Sequence, residues 1–499
     1  MAGKDNSDTT NDDNALIKER KRKVDEIRSK GIDPYPYSYE ASHRAAEILE
    51  RYKGLDKEQK TEDMVSIAGR MVSLRGMGKV TFSHIQDITG RIQLFFRQDD
   101  LGKESYKLLK LYDIGDFVGV RGNVFTTKTG EISIHVKEFS LLSKALRPLP
   151  EKYHGIKDSE LRYRKRYLDL IMDSEARERF MIRTKVIALV REYLNKLDFI
   201  EVETPVLQVM YGGTNAKPFT THINTYNMPM YLRVAPELYL KRLVVGGFER
   251  VYEIAKNFRN EGVDQTHNPE FTMIEWYEAY CDYNKMMDRA EAMYKFIAKR
   301  LFSEEKIKVN DRTIDLSKRW PRLTLADSLK RYAGIDAEKL DESALKKIVD
   351  ENRIEIRGEP NRGQMLFALF DKLVCEKLID PVWIIDYPKE VSPLAKTHRK
   401  DDTLVERFEC YIGGKEIGDG WSEIIDPADQ RSRFETEQKK MRSGDSEAHP
   451  MDEDFLEAME YGMPPLGGIG IGIDRLVMLF TNHWSIRDVM FFPIMKPEN

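Results

Sequence analysis

Length, two changes of hydrophobic period and a proline-marked break predict a multidomain protein, with a small β-barrel near the N-terminus and then a larger α+β unit carrying a helical insertion. The chain has 499 residues, and at about 150 residues per domain it accommodates roughly three structural units. Hydrophobic residues make up 41% and charged ones 33%, a balance that fills a large core, keeps a solvated surface and excludes a fibrous or wholly disordered chain. Lys plus Arg total 80 against 84 for Asp plus Glu, so nucleic acid is not attracted globally and any such contact must use a local basic surface. The three cysteines, Cys281, Cys375 and Cys410, form no CxxC pair, which excludes a zinc ribbon or disulfide framework and fits a reducing compartment. The polar, acidic start MAGKDNSDTTNDDN lacks an apolar stretch, and no run approaches the roughly 18 apolar residues of a membrane span. A cytoplasmic protein without a membrane partner is expected.

Taken in order, residues 1–13 are expected to be a disordered start, and 14–60 a basic helix with its lead-in. Leu16, Ile17, Val24 and Ile27 fall on one helical face, with Gly31 and Pro34 as stop signals. The other face carries Lys18, Arg20, Lys21, Arg22, Lys23, Arg28 and Lys30, either a solvated face or a contact for phosphates. From 61 to 145 short strands rich in Val, Ile, Phe and Thr alternate with turns such as Thr89-Gly90 and Thr129-Gly130, with one helix-like stretch near 105–112. Five or so strands with one helix match a closed barrel of OB type, which is either a structural β-domain or a binder of single-stranded nucleic acid. Residues 146–174, with Pro148 and Pro150, are expected to form a linker before an α+β domain over 175–499. That domain opens with a helix at 175–197, where Ile182, Val186, Leu189, Val190, Tyr193 and Leu197 share a stripe, and leads into FIEVETPVL. Strands and helices alternate to residue 280, residues 281–380 read as mainly helical, and the last part returns to strands before a final helix.

Three segments carry chemistry. In VYEIAKNFRNEGVDQTHNPEFTMIEWYEAY (251–280), a strand over 270–278 puts Phe271, Met273, Glu275 and Tyr277 on one face. Such a face can stack a planar base at one end and hold an ammonium group at the other. Arg259 and Glu261 lie in the preceding loop, where a guanidinium fork can reach phosphate; taken alone, Arg259 equally suits a surface ion pair and Phe271 a core position. In VERFECYIGGKEIGDGWSEI (405–424), a Gly413-Gly414 turn pairs Ile412 with Lys415 and Tyr411 with Glu416, so Glu409, Tyr411 and Glu416 share a face. Two converging acids call for a proton or a divalent cation such as Mg, unless both are simply solvated. Strict alternation sends Asp419, Trp421 and Glu423 to the opposite face, so one shared pocket requires a bulge near Gly418 or Gly420. In LGGIGIGIDRLVMLF (466–480), Gly468, Gly470 and Gly472 alternate with Ile469, Ile471 and Ile473, giving one greasy face and one bare face for a flat ligand or for tight packing. Asp474 is expected to cap a helix whose first turn presents Arg475 beside backbone N–H groups. Neither GxGxxG nor GxxxxGK[ST] occurs, which removes support for Rossmann and P-loop readings.

In this order behind an OB-type barrel, the segments resemble the class II aminoacyl-tRNA synthetases, and closely the lysyl-tRNA synthetases. FIEVETPVL with Pro205 is similar to the first class signature, a dimer-interface helix and strand; FRNEG with HNPEF resembles the second, and GIGIGIDR the third. RYRKRYLDLI, YLRVAPELYLKRLVVGGFERVYEI and VSPLAK extend the likeness from the barrel to the C-terminus. The resemblance implies an OB-fold anticodon-binding domain, a catalytic domain on an antiparallel sheet and a homodimer. It implies that L-lysine is activated by ATP with Mg2+ and transferred to the 3′ end of tRNA(Lys), and DNA is not an expected partner. By similarity Arg259 holds the α-phosphate and the substrate carboxylate, Glu261 and Asn268 fix the nucleotide, and His267 lies beside its phosphates. Phe271 stacks on adenine, Arg475 covers its other face and reaches the γ-phosphate, and Glu409 and Glu416 hold Mg. Glu237, Glu275 and Glu423 match the acids of the lysine pocket, completed by Tyr277 and the Gly212-Gly213 loop; neutral or acidic substrates would leave those acids unpaired. Arg75, Phe82, Gln93 and Glu131 match positions that bind anticodon bases, with Phe82 as stacking platform, and the basic helix then gains a use on tRNA phosphates.

Where lysine enzymes show Asn and, two residues later, Phe or Tyr, this chain has Asp419 and Trp421. Asp419 is expected to add negative charge to the pocket and the indole to reshape it. An aspartyl or asparaginyl synthetase shares barrel and catalytic fold, but aspartate would be repelled by these acids. A catalytically inert, RNA-binding relative would not need Arg259, Phe271, Glu409, Glu416 and Arg475 together, and the HIGH and KMSKS segments of class I are absent.

Overall fold

The structure is a computed structural model that describes residues 6–150, 158–356, 360–442 and 449–498. The chain divides into two compact units, Met1–Gly155 and Ile156–Asn499.

In the first unit, strands β1 (Lys60–Met77), β2 (Val80–Gln86), β3 (Arg91–Arg97), β4 (Phe117–Thr126) and β5 (Ile132–Ser143) close in the order β1-β2-β3-β5-β4. Closure removes free edges. It depends on β1 pairing with both β2 and β4 along its 18 residues, and the strand passes so close to β2 that a Cβ on Gly69 would lie 2.8 Å from the Gln86 carbonyl oxygen. Alternate residues, among them Val65, Ile67, Ile92, Leu94, Val118, Val120, Ile134 and Val136, fill the interior. The helical stretch between β3 and β4 starts earlier than expected, with turns at Gln98–Leu101 and Lys103–Leu108 before a 3-10 turn at Leu109–Leu111.

The N-terminal helix spans Asn6–Ser29, so the stretch expected to be disordered is helical from residue 6, and residues 1–5 lie outside the described residues. Val24 and Ile27 are buried, whereas Leu16 is exposed. Not all its cations face solvent: Arg20 is buried and donates to the carbonyls of Ala145 (2.9 Å), Arg147 (3.0 Å) and Ile114 (3.2 Å), while Lys23 pairs with Asp113 at 2.7 Å. These two cations anchor the helix, and Arg22 is held by Glu19 and Glu26 on its own helix.

The segment expected as a linker to residue 174 carries two helices, Ser159–Arg164 and Arg166–Met172. Asp158 starts the first by accepting the Glu160 N–H at 2.8 Å, and the buried Arg166 guanidinium donates to the carbonyls of Arg487 (2.7 Å) and Phe491 (3.1 Å). The prolines mark only the approach to the second unit.

That unit's strands are β6 (Ile200–Glu201), β7 (Leu207–Gln208), β8 (Thr220–Ile223), β9 (Met228–Leu232), β10 (Arg250–Phe258) and β11 (Glu270–Ala279). They continue with β12 (Lys306–Val309), β13 (Arg312–Asp315), β14 (Arg322–Thr324), β15 (Val382–Pro388), β16 (Leu404–Ile412), β17 (Lys415–Ser422) and β18 (Leu466–Gly472). Eight of them form one sheet in the order β14-β15-β16-β17-β18-β11-β10-β6, antiparallel from β15 to β10 with a parallel strand at each edge. The region expected to be mainly helical over 281–380 also holds the β12–β13 hairpin and β14; alternation in Lys306, Ile307, Lys308 and Val309 buries the two apolar residues.

One face of the sheet is apolar. Tyr252, Ile274, Trp276, Ile469, Ile471 and Phe408 share the core with residues of the helices Ser174–Asn195 and Tyr283–Phe302. Because cross-strand partners point the same way, the register writes the opposite face in rows. One row reads Glu253, Glu275, Gly470, Asp419, Glu409, and the next reads Val251, Tyr277, Gly468, Trp421, Arg407. Four carboxylates on one row of an internal sheet are costly unless matched by cations.

Candidate active site

The β16–β17 hairpin turns at Gly413 and Gly414, whose φ of 66° and 74° suit a two-residue turn, and pairs Ile412 with Lys415 and Tyr411 with Glu416. The next pairs are Cys410 with Gly418 and Glu409 with Asp419, so Ile417 is the extra residue of a bulge. This bulge, beside Gly418, brings Asp419 and Trp421 onto the face of Glu409, the condition for one shared pocket.

At the β16 end two arginines hold three acids. Arg407 donates to Glu409 at 2.7 Å and grips both Asp419 oxygens at 3.0 and 2.9 Å; the Tyr411 hydroxyl donates to Glu409 at 2.6 Å. Asp419 is held by Arg407, which it shares with Glu409, so its charge is only partly offset, and burial pushes its carboxyl up to about 7 against the pull of Arg407. Arg475 pairs with Glu416 at 2.8 Å and lies 3.4 Å from His267 Nε2, while His267 Nδ1 faces Asp264 at 2.9 Å. Among the described residues no group of three or more His, Cys, Asp or Glu is arranged to hold a metal ion.

The middle of the site is a hollow lined by Arg259, Glu261, His267, Asn268, Phe271, Glu416, Gly470, Gly472 and Arg475. The Arg259 guanidinium lies 5.0 Å from the centre of the Phe271 ring, and its Nε is buried without a partner. Asn268 is committed to the backbone: its amide donates to Glu270 O at 2.6 Å and its oxygen accepts from Ile494 N at 3.3 Å. Asp474 is not the expected cap, since the helix Ile473–Thr481 starts at Gly472 without a side-chain cap. It instead accepts the Thr272 N–H at 2.7 Å and pairs with buried Arg183 at 2.6 Å, fixing that helix, and so Arg475, against β11.

The glycine ladder is only partly bare. A Cβ on Gly468 would overlap Glu423 Oε1 and the Tyr277 ring, and one on Gly470 would overlap the Met273 methyl, so these glycines admit the protein's own side chains. Gly472 has nothing nearer than Arg475 at 3.7 Å, leaving room for a ligand there.

At the β10 end lie the other acids. Glu253 is neutralised by Arg233 at 2.5 Å. Glu275 accepts from the Tyr277 hydroxyl at 3.1 Å, and burial, with Glu237 nearby, pushes its carboxyl up to about 8. Glu423 Oε2 accepts from the Trp421 indole at 2.8 Å and contacts Lys241 at 2.5 Å, whereas Oε1 is buried with no partner. Lys241 also pairs with Glu237, which starts the helix Glu237–Val245. Gly213, at φ 92°, lies against Glu237, and its N–H donates to His449 Nε2 at 2.7 Å; a Cβ on Gly212 would meet His449. Sequence reasoning missed Lys241, Arg407 and His449. The signals for the first two were spacing: Lys241 is four residues after Glu237 on a helix, and Arg407 is two before Glu409 on a strand.

In the barrel unit, Arg75 is exposed and pairs in register with Phe82, whose ring lies 5.0 Å from Phe95. Phe95 continues the aromatic surface to Phe125 (5.6 Å) and His135 (5.4 Å). Gln93 donates to Glu131 at 2.7 Å and accepts from Ser133 at 2.8 Å. His84, missed in the sequence, approaches the other Glu131 oxygen at 2.9 Å and Ser73 Oγ at 2.9 Å. A carboxylate only accepts, so Nε2 carries the proton of that hydrogen bond, and the serine hydroxyl serves the other ring nitrogen.

A family model described as tRNA synthetases class II (D, K and N) matches residues 158–496, and one described as OB-fold nucleic acid binding domain matches 65–142. The lysine–tRNA ligase of Thermotoga maritima is 52% identical over 484 residues, 96% of each chain. That of Pelotomaculum thermopropionicum is 50% identical over 97% of this chain and 96% of its own, and that of Oceanobacillus iheyensis 48% over 97% and 99%. With the second and third signature-like segments lining one hollow and this likeness along nearly its whole length, the chain belongs to the class II tRNA synthetases (D, K and N), in the lysine–tRNA ligase family.

Proposed function

We propose that this chain activates L-lysine with ATP to lysyl-adenylate and transfers it to the 3′ end of tRNA(Lys). The observation that carries the substrate assignment is the closed acidic end of the site, where Glu237, Glu275 and Glu423 lie buried and Glu423 keeps one oxygen unpaired. A diamino acid supplies the missing cations, and a neutral or acidic one does not.

Arg259 takes the substrate carboxylate and the α-phosphate; its unpartnered buried Nε supports a role completed by ligand. The carboxylate oxygen attacks phosphorus, a new P–O bond forms and the bond to pyrophosphate breaks, so catalysis rests on alignment and charge neutralisation. Phe271 carries the adenine and Arg475 faces it across the hollow, beside His267, with Glu261 at the rim; Asn268 shapes the loop through the backbone. A ribose hydroxyl of tRNA then attacks the activated carbonyl and AMP leaves. Glu409 and Glu416 are hard oxygen donors, paired with Arg407 and Arg475 in the free site, and they would hold an Mg2+ that keeps most of its waters. When bound, that ion would neutralise phosphate charge.

The exposed apolar residues Ile200, Val206, Leu207, Val209 and Met210, all in or beside FIEVETPVL, support a homodimer. Three free cysteines support a cytoplasmic location, and no helix among the described residues is long and apolar enough to cross a membrane. The test is ATP–pyrophosphate exchange with each amino acid in turn: lysine alone should support it, an aspartate signal would replace the assignment, and no signal would favour an inert RNA-binding protein.

The barrel face with Arg75, Phe82, Gln93 and Glu131 takes the anticodon, and His84 orients Glu131. Replacing His84 by alanine should raise the KM for tRNA about tenfold, the worth of one hydrogen bond to a charged group, while tRNA-independent exchange stays unchanged. Initial rates of aminoacylation against tRNA concentration check this.

The acidic end also sets a pH dependence. Burial pushes both Glu275 and Glu423 up to about 8, the latter against the pull of Lys241. Their protonated forms stabilise the free fold fully below the ordinary carboxyl value of 4.5, and that stabilisation is lost as pH rises through about 8. Lysine offsets the loss by pairing the ionised forms, so its effect on Tm should be larger at about pH 8.5 than at about pH 6.5. Differential scanning fluorimetry with and without lysine measures the difference.

A further inference from the structure

Lys241 is a buried titratable group within the site that no step of the reaction uses. Lys241 is 1% exposed, yet it sits at the acidic end, where substrate ammonium groups are to be bound. Its Nζ contacts Glu237 Oε1 and Glu423 Oε2 and lies 5.8 Å from the centre of the Tyr277 ring. Burial opposes its charge, but Glu237 and Glu423 outweigh that and raise its pKa, so it is an ammonium.

We propose that Lys241 is a resident counter-ion of the lysine pocket, a positioning residue that clamps Glu237 and Glu423 and leaves their other oxygens and two net negative charges for the two ammonium groups of the substrate. This rests on the lysine-activating reading and deepens it. Glu237, Glu275 and Glu423 carry three charges when ionised, and Lys241 cancels one. Glu253 is outside the count because Arg233 neutralises it. Arg259, near Glu275, is matched by the substrate's own carboxylate. Over Glu237, Glu275, Glu423, Lys241 and Arg259 the charges then balance those of the substrate, with each substrate charge opposite a protein charge. Without Lys241 three acids would face two cations, and one acid would have to take up a proton or stay unpaired, both of which weaken lysine binding.

The asymmetry of Glu423 supports a ligand-directed role over a purely structural one. Lys241 and the Trp421 indole both use Oε2, and Oε1 is left without a partner although buried. The missing side chain of Gly468 provides the space that Oε1 and the Tyr277 ring occupy. A lysine present only to neutralise a core would have no reason to leave that oxygen orphaned, because such a lone pair costs stability until a donor arrives.

The test is exchange kinetics on full-length Lys241→Met, Lys241→Gln and Lys241→Arg, with Glu423→Gln alongside and folding checked by circular dichroism. The expected result is a rise of about thirtyfold or more in the KM for lysine in the Met and Gln variants, an unchanged KM for ATP, kcat within about threefold, and partial recovery in the Arg variant. If the Met variant does not fold, the Gln variant keeps N–H donors for both carboxylates and reads the loss of charge alone. A lysine KM within about twofold of the parent in a folded Met or Gln variant, or a loss confined to kcat, overturns the proposal. If Glu423→Gln also leaves the lysine KM unchanged, the lysine-pocket reading itself fails; if it raises KM while the Lys241 variants do not, only the counter-ion role is lost.

Discussion

Arg259→Gln is expected to lower lysine-dependent ATP–pyrophosphate exchange about a thousandfold, chiefly in kcat, without unfolding the protein. The guanidinium is the group best placed to neutralise charge that grows during attack on the α-phosphate. It sits against the Phe271 ring in the central hollow, and its Nε has no protein partner to lose. Burial lowers its pKa, the nearby acids raise it and Arg475 lowers it further, so the free site holds an under-compensated cation. An anion relieves that condition, whereas a neutral glutamine leaves it unmet. Thermal stability of the variant should match or exceed the parent, since an unpaired buried charge has been removed. Exchange rates with saturating lysine and ATP, together with a melting curve, measure both parts; a loss of exchange that merely tracks a fall in Tm would point to a structural role.

Glu423→Gln is expected to raise the lysine KM about a hundredfold with little change in the KM for ATP. The change is nearly isosteric and keeps a hydrogen-bonding head. It removes the charge opposite a substrate ammonium and leaves Lys241 with Glu237 alone. Losing one charged partner in a buried pair costs about 3 kcal/mol, which is roughly the hundredfold given. Trp421 should restrain the new side chain through its indole N–H, so the effect falls on binding, not on folding. Steady-state exchange over a range of lysine concentrations tests this, and an equal loss in ATP affinity would argue that Glu423 belongs to the nucleotide end.

How much of this was legible in the sequence differed by element. The β16–β17 hairpin could be read because its information is local: two glycines fix the turn, and the turn fixes the first pairs. The bulge at Ile417 was foreseen only as a requirement, since where a ladder slips is settled by packing across several strands, here with Ile471 and Tyr294 crowding Gly418. The strand bearing Phe271, Glu275 and Tyr277 followed from alternation, but the partners of those side chains did not. Lys241 and Arg407 were overlooked because a Glu and Lys four apart, or an Arg among acids, is the usual pattern of a solvated surface. Only tertiary burial turns such a pair into a pocket wall. Asp474 was misplaced for a similar reason: an acid at the start of a helix suggests a cap, but here Arg183 and the Thr272 N–H compete for it from other elements. The helices at 159–172 read as linker in the sequence because Pro148 and Pro150 dominate the local signal, although Asp158 is a helix-starting residue. The anticodon face was found through resemblance at four positions, while Phe95 and His84 followed the same two-residue alternation and went unnoticed.

A crystal structure with a non-hydrolysable lysyl-adenylate analogue tests most directly whether one sheet face unites a cationic phosphate end with an acidic amine end. The ε-ammonium should lie within hydrogen-bonding distance of Glu423 Oε1, the phosphate on Arg259 and the adenine on Phe271. An analogue lodged elsewhere, or bound in the hollow with its side chain directed away from Glu237, Glu275 and Glu423, would contradict that arrangement.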